Sequence, residues 1–149
     1  MSRGKRGASA ILAILLTGSL TATACDREEP EETDVTVEET PSLDVTNVAL
    51  GRSIGADNMV IEEVGEFAPN DTIYATVETS GTGSGTLEAR WTFEDGQVVD
   101  EGSQSVSGAQ VTEFHVSKPD GWPPGHYEVV ISLDGNEVER NGFDVMVGT

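Results

Sequence analysis

The stretch that decides the fold is TLEARWTFEDG, residues 86–96. Apolar and polar side chains alternate along it, and this period of two is typical of a β-strand with one buried face. Asp95-Gly96 then predicts a hairpin turn, because glycine tolerates the positive φ that a tight turn requires. QVVDEGS, residues 97–103, is the predicted return strand. The side chains predicted to face the core are Leu87, Ala89, Trp91 and Phe93.

The same alternation recurs along the rest of the chain. Strands are predicted in DVTNVAL (44–50), NMVIEEV (58–64), TIYATVETS (72–80), AQVTEFHVS (109–117) and HYEVVISL (126–133). Asp134-Gly135 predicts a second hairpin, which leads into NEVERNGFDVMV (136–147). In that last strand we expect a β-bulge at Gly142, where the alternation slips. Its residues predicted to face the core are Val138, Phe143, Val145 and Val147.

Seven or eight short strands in about a hundred residues, with no helical period, predict an all-β fold. The preferred architecture is an antiparallel two-sheet sandwich, and an up-and-down barrel is the alternative. Trp91 lies inward on a central predicted strand, and WPPGHYEVVI, residues 122–131, resembles the corner that enters the penultimate strand of such sandwiches, with Tyr127 in the tyrosine-corner position. Residues 43–149 therefore resemble bacterial immunoglobulin-like or fibronectin-type domains. The chain has one cysteine, so the resemblance is to members that lack a disulfide.

The N-terminus has the features of a secretory signal peptide. Arg3, Lys5 and Arg6 form a basic segment, and the apolar run AILAILL at 10–16 follows it. That run is too short to span a bilayer core of about 30 Å comfortably. We therefore predict that residues 1–24 direct export and that the mature chain works outside the cytoplasm.

The cysteine lies at the predicted cleavage border, in Ala22-Thr23-Ala24-Cys25. This stretch resembles the lipobox of bacterial lipoproteins, although that family usually has leucine where Ala22 stands. The resemblance implies cleavage after Ala24 and diacylation of the Cys25 thiol. Ala22 and Ala24 alone also fit ordinary signal peptidase, with soluble secretion as the alternative. A lone cysteine forms no internal disulfide, and this favours the lipid anchor.

Acidic residues dominate the segment that follows the cysteine and the chain as a whole. Residues 26–42 hold eight Asp and Glu, one arginine and two prolines, and this composition predicts that 25–42 form a disordered acidic tether. The formal net charge of the whole chain is -19. A surface with this much negative charge repels phosphates. We therefore expect no nucleic-acid partner.

Motifs for chemistry are weak. His115 and His126, with Glu113 and Glu128 nearby in sequence, are predicted to be surface residues rather than metal ligands, and Asp134–Asn136 is better explained by its hairpin than by calcium. No nucleophile motif or phosphate-binding loop is present, so we expect no enzyme activity, cofactor or metal. Trp122, in the turn-rich loop KPDGWPPGH (118–126), is the candidate partner contact. A ring folded back over the sandwich is its alternative.

These observations favour a non-catalytic, lipid-anchored protein of the bacterial cell envelope, facing the periplasm or the cell surface. Its sandwich domain is expected to bind an envelope protein or a glycan. The second hypothesis is a structural or accessory subunit of an envelope complex with no ligand of its own. A small carbohydrate-active or metal-dependent enzyme is the third.

Overall fold

The structure is a computed structural model that describes residues 38–148. The predicted signal peptide and tether residues 25–37, with Ala24 and Cys25, lie outside the described residues. The described part holds eight strands and no helix, so none of its segments is a helix able to cross a membrane. The strands are β1 Leu43–Gly51, β2 Glu66–Phe67, β3 Ile73–Gly81, β4 Ser84–Phe93, β5 Gln97–Ser107, β6 Gln110–Val116, β7 Gly125–Leu133 and β8 Asn136–Val145.

The strands form two sheets that pack face to face. One has the order β1-β3-β6 and the other β2-β8-β7-β4-β5, and β2–β8 is the parallel pair among otherwise antiparallel ones. The chain changes sheet five times, between β1 and β2, β2 and β3, β3 and β4, β5 and β6, and β6 and β7. An up-and-down barrel pairs each strand with its neighbours in sequence, so that alternative is wrong. The predicted antiparallel two-sheet sandwich is confirmed.

An aromatic cluster fills the core between the sheets. The Phe143 ring stacks on Tyr127 with centroids 5.4 Å apart, and Trp91 and Phe67 meet it edge-on at 6.0 and 5.4 Å. Around these rings pack the inward residues that the alternation predicts on β4, β6 and β7. Within residues 38–148 every strand and core residue lies between Leu43 and Val145, so this compact unit carries its own hydrophobic core, as a domain that folds by itself does.

Both predicted hairpins are confirmed. Asp134 and Gly135 have φ values of 51° and 83°, as a two-residue type I′ turn requires. The first hairpin has a three-residue loop, Glu94 to Gly96, in which Gly96 has φ 89°.

The predicted details of β8 are wrong in two places. Val138 and Val147 are exposed rather than buried. The bulge lies at Val138, because Ile131 pairs with Glu139 while Ser132 pairs with Glu137, and this leaves Val138 as the extra residue. Gly142 is in regular register opposite Glu128, and a Cβ there would lie 2.9 Å from the His126 ring.

The strand predicted in 58–64 is also wrong. That segment lies within residues 52–65, which we call the excursion. Two isolated β-bridges involve it, one between Ile54 and Val60 and one between Glu63 and Gly51 at the end of β1. The strand that follows, β2, was not predicted. It is only two residues long, and its backbone bonds to β8 include those from the N–H groups of Asp144 and Met146 to the carbonyls of Gly65 and Phe67.

Candidate functional site

Side-chain amides close both open sides of the sandwich. On one side Gln104 of β5 donates through Nε2 to the carbonyl of Glu113 on β6, at 2.6 Å. On the other, Asn141 of β8 donates through Nδ2 to the carbonyl of Val48 on β1, at 3.1 Å. Each bond occupies a carbonyl that a sheet edge leaves without a ladder partner.

Trp122 does not present its ring to solvent. Its side chain is 1% exposed. Its Nε1–H donates to the carbonyl of Asp71 at 3.0 Å, and its backbone N–H donates to the carbonyl of Pro69 at 2.7 Å. The ring meets Tyr127 edge-on at 5.3 Å, and the Lys118 ammonium lies 5.9 Å from its centroid. The prediction of a partner contact at Trp122 is wrong, because the ring folds back over the end of the sandwich.

The tyrosine corner explains why the loop turns inward. The Tyr127 hydroxyl donates to the carbonyl of Pro123 at 2.7 Å, which draws the loop onto the core. Burial and then the nearby Glu94 carboxylate raise the pKa of Tyr127 above its ordinary value of 10.0. The predicted corner is confirmed, and it holds the neighbouring Trp122 in place.

The two histidines are exposed, as predicted, and lie on different sheets. His115 Nδ1 is 2.5 Å from a carboxylate oxygen of Glu113, and His126 Nδ1 is 3.0 Å from one of Asp144. Glu128, the other acid considered with them, is bound by Arg140 instead. Between residues 38 and 148 no three metal-ligating side chains converge.

A shallow groove of about 670 Å³ crosses the outer face of the five-stranded sheet. Arg140 dominates its electrostatics, since it bonds both oxygens of Glu137 at 3.0 Å and Glu128 at 2.8 Å. These bonds lower the pKa of Glu137, whereas a general acid needs a raised one. Arg90 and Glu101 form a second ion pair in the groove, at 3.5 Å.

The two ends of the sandwich differ in what they expose. Ser42 directly precedes β1, and we call the end of the sandwich where β1 begins the entry end. It holds the turns at 81–83, 107–110 and 134–135. The opposite end, here the far end, holds residues 52–72, 94–96, 117–124 and 146–148. Six large apolar residues of the described chain are exposed, and four of them, Met59, Ile61, Met146 and Val147, lie at the far end.

The far-end apolar residues lie in two segments of the chain, one before β2 and one after β8. Met59 and Ile61 lie in the excursion that leads into β2. Met146 and Val147 directly follow the β8 residues that pair with β2, and the Met146 N–H bonds to the carbonyl of Phe67. Sequence reasoning missed this group, because it placed Val60, Ile61 and Val64 in one strand. The available signal was the set of turn residues, Gly55, Asp57 and Asn58, at the tip of the excursion.

Sheet order, the buried Trp91 on β4 and the tyrosine corner together define an immunoglobulin-like β-sandwich. No family model and no curated protein matches the chain. Among solved structures, it is similar to a β-glucosidase from Erythrobacter marinus, with TM-score 0.51 and 10% identity, over 71% of this chain but 16% of that one. It is also similar to an immunoglobulin-like protein from Pseudomonas aeruginosa, with TM-score 0.48 and 12% identity, over 70% and 97% of the two chains. At these identities the first likeness shows the fold alone, and it carries no glucosidase activity to this chain.

Proposed function

We propose that this chain is a non-catalytic, lipid-anchored protein of the bacterial cell envelope, whose immunoglobulin-like domain binds a protein partner outside the cytoplasm. The observation that carries the proposal is the arrangement of the chain. A lone cysteine at a lipobox-like border and an acidic segment precede one complete binding-type domain. An anchored domain on a tether raises the local concentration of its partner's binding site at the membrane.

The distribution of aromatic rings favours a protein partner over a glycan. All eight Phe, Trp and Tyr residues lie in the domain, and none of them is exposed. Tyr74 and Phe93 are half-buried, and each packs against another ring, His115 and Tyr127 respectively. The described residues therefore offer a sugar ring no free aromatic face on which to stack.

The charges support a partner other than nucleic acid. Residues 38–149 carry 21 Asp and Glu but four Lys and Arg. Three of those cations, Arg52, Arg90 and Arg140, pair with carboxylates, and Lys118 lies over the Trp122 ring. The domain therefore offers a phosphate backbone no positive surface.

The groove supports a non-catalytic role. It is open to solvent on a sheet face, and its carboxylates on β7 and β8 are held by Arg140.

Intact mass of the protein extracted from its native membrane tests the anchor. We expect a chain that begins at Cys25 and carries a diacylglyceryl group. The matched control is Cys25→Ser, which removes the acceptor thiol and should yield no lipid-modified product. A wild-type chain that begins at Cys25 without lipid would overturn the anchored role and indicate ordinary secretion.

A further inference from the structure

We infer that the far end of the domain is its protein-docking surface, and that it fits a partner presenting apolar side chains bordered by lysine or arginine. This inference rests on the proposed function and names the surface and the chemistry of the partner. The surface consists of Met59 and Ile61 on the excursion and Met146 and Val147 after β8.

Exposure at this end is set by the backbone register. In the excursion Val60 packs onto Gly51, where a Cβ would lie 2.9 Å from the Val60 side chain. The next residue, Ile61, is 70% exposed, and Val147 is 72% exposed. Scattered apolar residues are normal on a surface. Four of the six exposed large apolar residues of the described chain lie at this one end, in the excursion before β2 and in the residues after β8.

The excursion is held in shape by its own hydrogen bonds. The Gly55 N–H bonds to the carbonyl of Met59 at 2.8 Å, and the Ile61 N–H bonds to that of Ser53 at 3.1 Å. The Asp57 carboxylate accepts from the Met59 N–H at 3.2 Å. A segment of fourteen residues without regular strands is long for a compact domain and is usually functional. Because this one is already ordered, docking a partner on it costs little conformational entropy.

The charges around the apolar residues select the partner. Asp57, Glu62, Glu63 and Glu66 are exposed in the same stretch of chain as Met59 and Ile61, and Asp144, which pairs with His126, lies two residues before Met146. Two cations lie at this end: Arg52 pairs with Asp71 at 2.9 Å and lies over the Phe67 ring at 5.7 Å, and Lys118 lies over the Trp122 ring. A second copy of this domain would bring like charges together, so self-association is disfavoured. A basic rim around an apolar centre complements the surface.

Fluorescence anisotropy with two synthetic peptides tests the inference on the compact unit 38–149. One labelled peptide alternates lysine with leucine, and the other alternates lysine with glycine at equal length and charge. We expect wild type to bind the lysine–leucine peptide more tightly. The double variant Ile61→Ser/Val147→Ser should weaken that binding about tenfold or more and leave the lysine–glycine peptide unaffected.

The matched control is Val138→Ser, which removes an exposed valine on β8 away from the far end. It should bind both peptides as wild type does. Equal binding of the two peptides by wild type, an unchanged double variant, or an equal loss in Val138→Ser would each overturn the inference. The peptides do not depend on lipidation, so this result is separate from the mass measurement. An unlipidated chain that still discriminates the peptides would overturn the anchor alone.

Discussion

The entry end and the far end of this sandwich are closed by different means. At the entry end the backbone bonds to itself, since the Ser42 carbonyl accepts from the N–H groups of Thr82 and Gly83, and the Gly83 carbonyl accepts from Gly108. At the far end a buried ring, Trp122, covers the core, and apolar side chains remain outside it. Tight turns leave an end with little surface to offer a partner, whereas long connections offer both shape and chemistry. We therefore expect substitutions of the exposed far-end side chains to change binding without changing stability, and substitutions at the entry end to change stability without changing binding.

The largest expected effect is that of Trp122→Ala at the far end. The ring is fully buried, so its removal leaves a cavity against Tyr127 and leaves the Asp71 carbonyl without its donor. We expect the free energy of unfolding to fall by about 3–5 kcal/mol, measured by urea denaturation of residues 38–149. Trp122→Phe, which keeps much of the apolar volume and loses the Nε1–H, should cost less. A loss below about 1 kcal/mol in Trp122→Ala would mean that the ring does not close this end.

The burial of the Trp122 ring could not be predicted from the sequence. Its neighbours are turn residues, and in a sequence an aromatic ring in such a loop is equally compatible with exposure and with burial. The outcome depends on Asp71 and Pro69, about fifty positions earlier in the chain, whose carbonyls accept its two N–H groups. No pattern in the residues next to Trp122 indicates hydrogen-bond partners so far away in the chain. The tyrosine corner was predictable, because its bond spans only four residues.

Strands were predictable where one face is buried along the whole strand. β4, β6 and β7 keep their alternation, because a shift of one residue in the pairing register would turn all the apolar side chains of the strand toward solvent. Prediction failed where strand pairing is irregular. Residues 58–64 are apolar enough for a strand, but they pair only at isolated points beside β1. In β8 the bulge at Val138 leaves that side chain outside the row that faces the core. The position of a bulge is not indicated by any fixed residue pattern in the sequence.

Gly51→Ala is the second prediction, and it tests whether the excursion must lie on β1. A Cβ at Gly51 would lie 2.7 Å from the carbonyl oxygen of Glu62 and 2.9 Å from the Val60 side chain. One of these contacts is with backbone, so the excursion must shift. We expect a loss of about 1–3 kcal/mol in urea denaturation, together with weaker discrimination between the two peptides.

Gly65→Ala is the matched control, because a Cβ there meets nothing within 4 Å. It should leave stability and peptide binding unchanged or raise stability slightly, since alanine restricts the unfolded chain. If Gly51→Ala matches this control in both measurements, the excursion is not fixed by its contact with β1. The pre-ordered docking surface would then lose its physical basis.

The smallest expected effect lies at the entry end, at Asp134. Its carboxylate accepts from the Thr86 N–H at 2.9 Å, and its own N–H donates to the Thr86 carbonyl at 2.9 Å. Asp134→Ala loses the first bond and places alanine at φ 51°, which should cost about 1–2 kcal/mol. Asp134→Asn keeps a side-chain acceptor and tolerates positive φ, so it should cost less than about 0.5 kcal/mol. Hydrogen exchange at the Thr86 amide should accelerate in the alanine variant alone, with peptide binding unchanged in both. If Asp134→Ala also weakened peptide binding, the two ends would be coupled through β7 and β8.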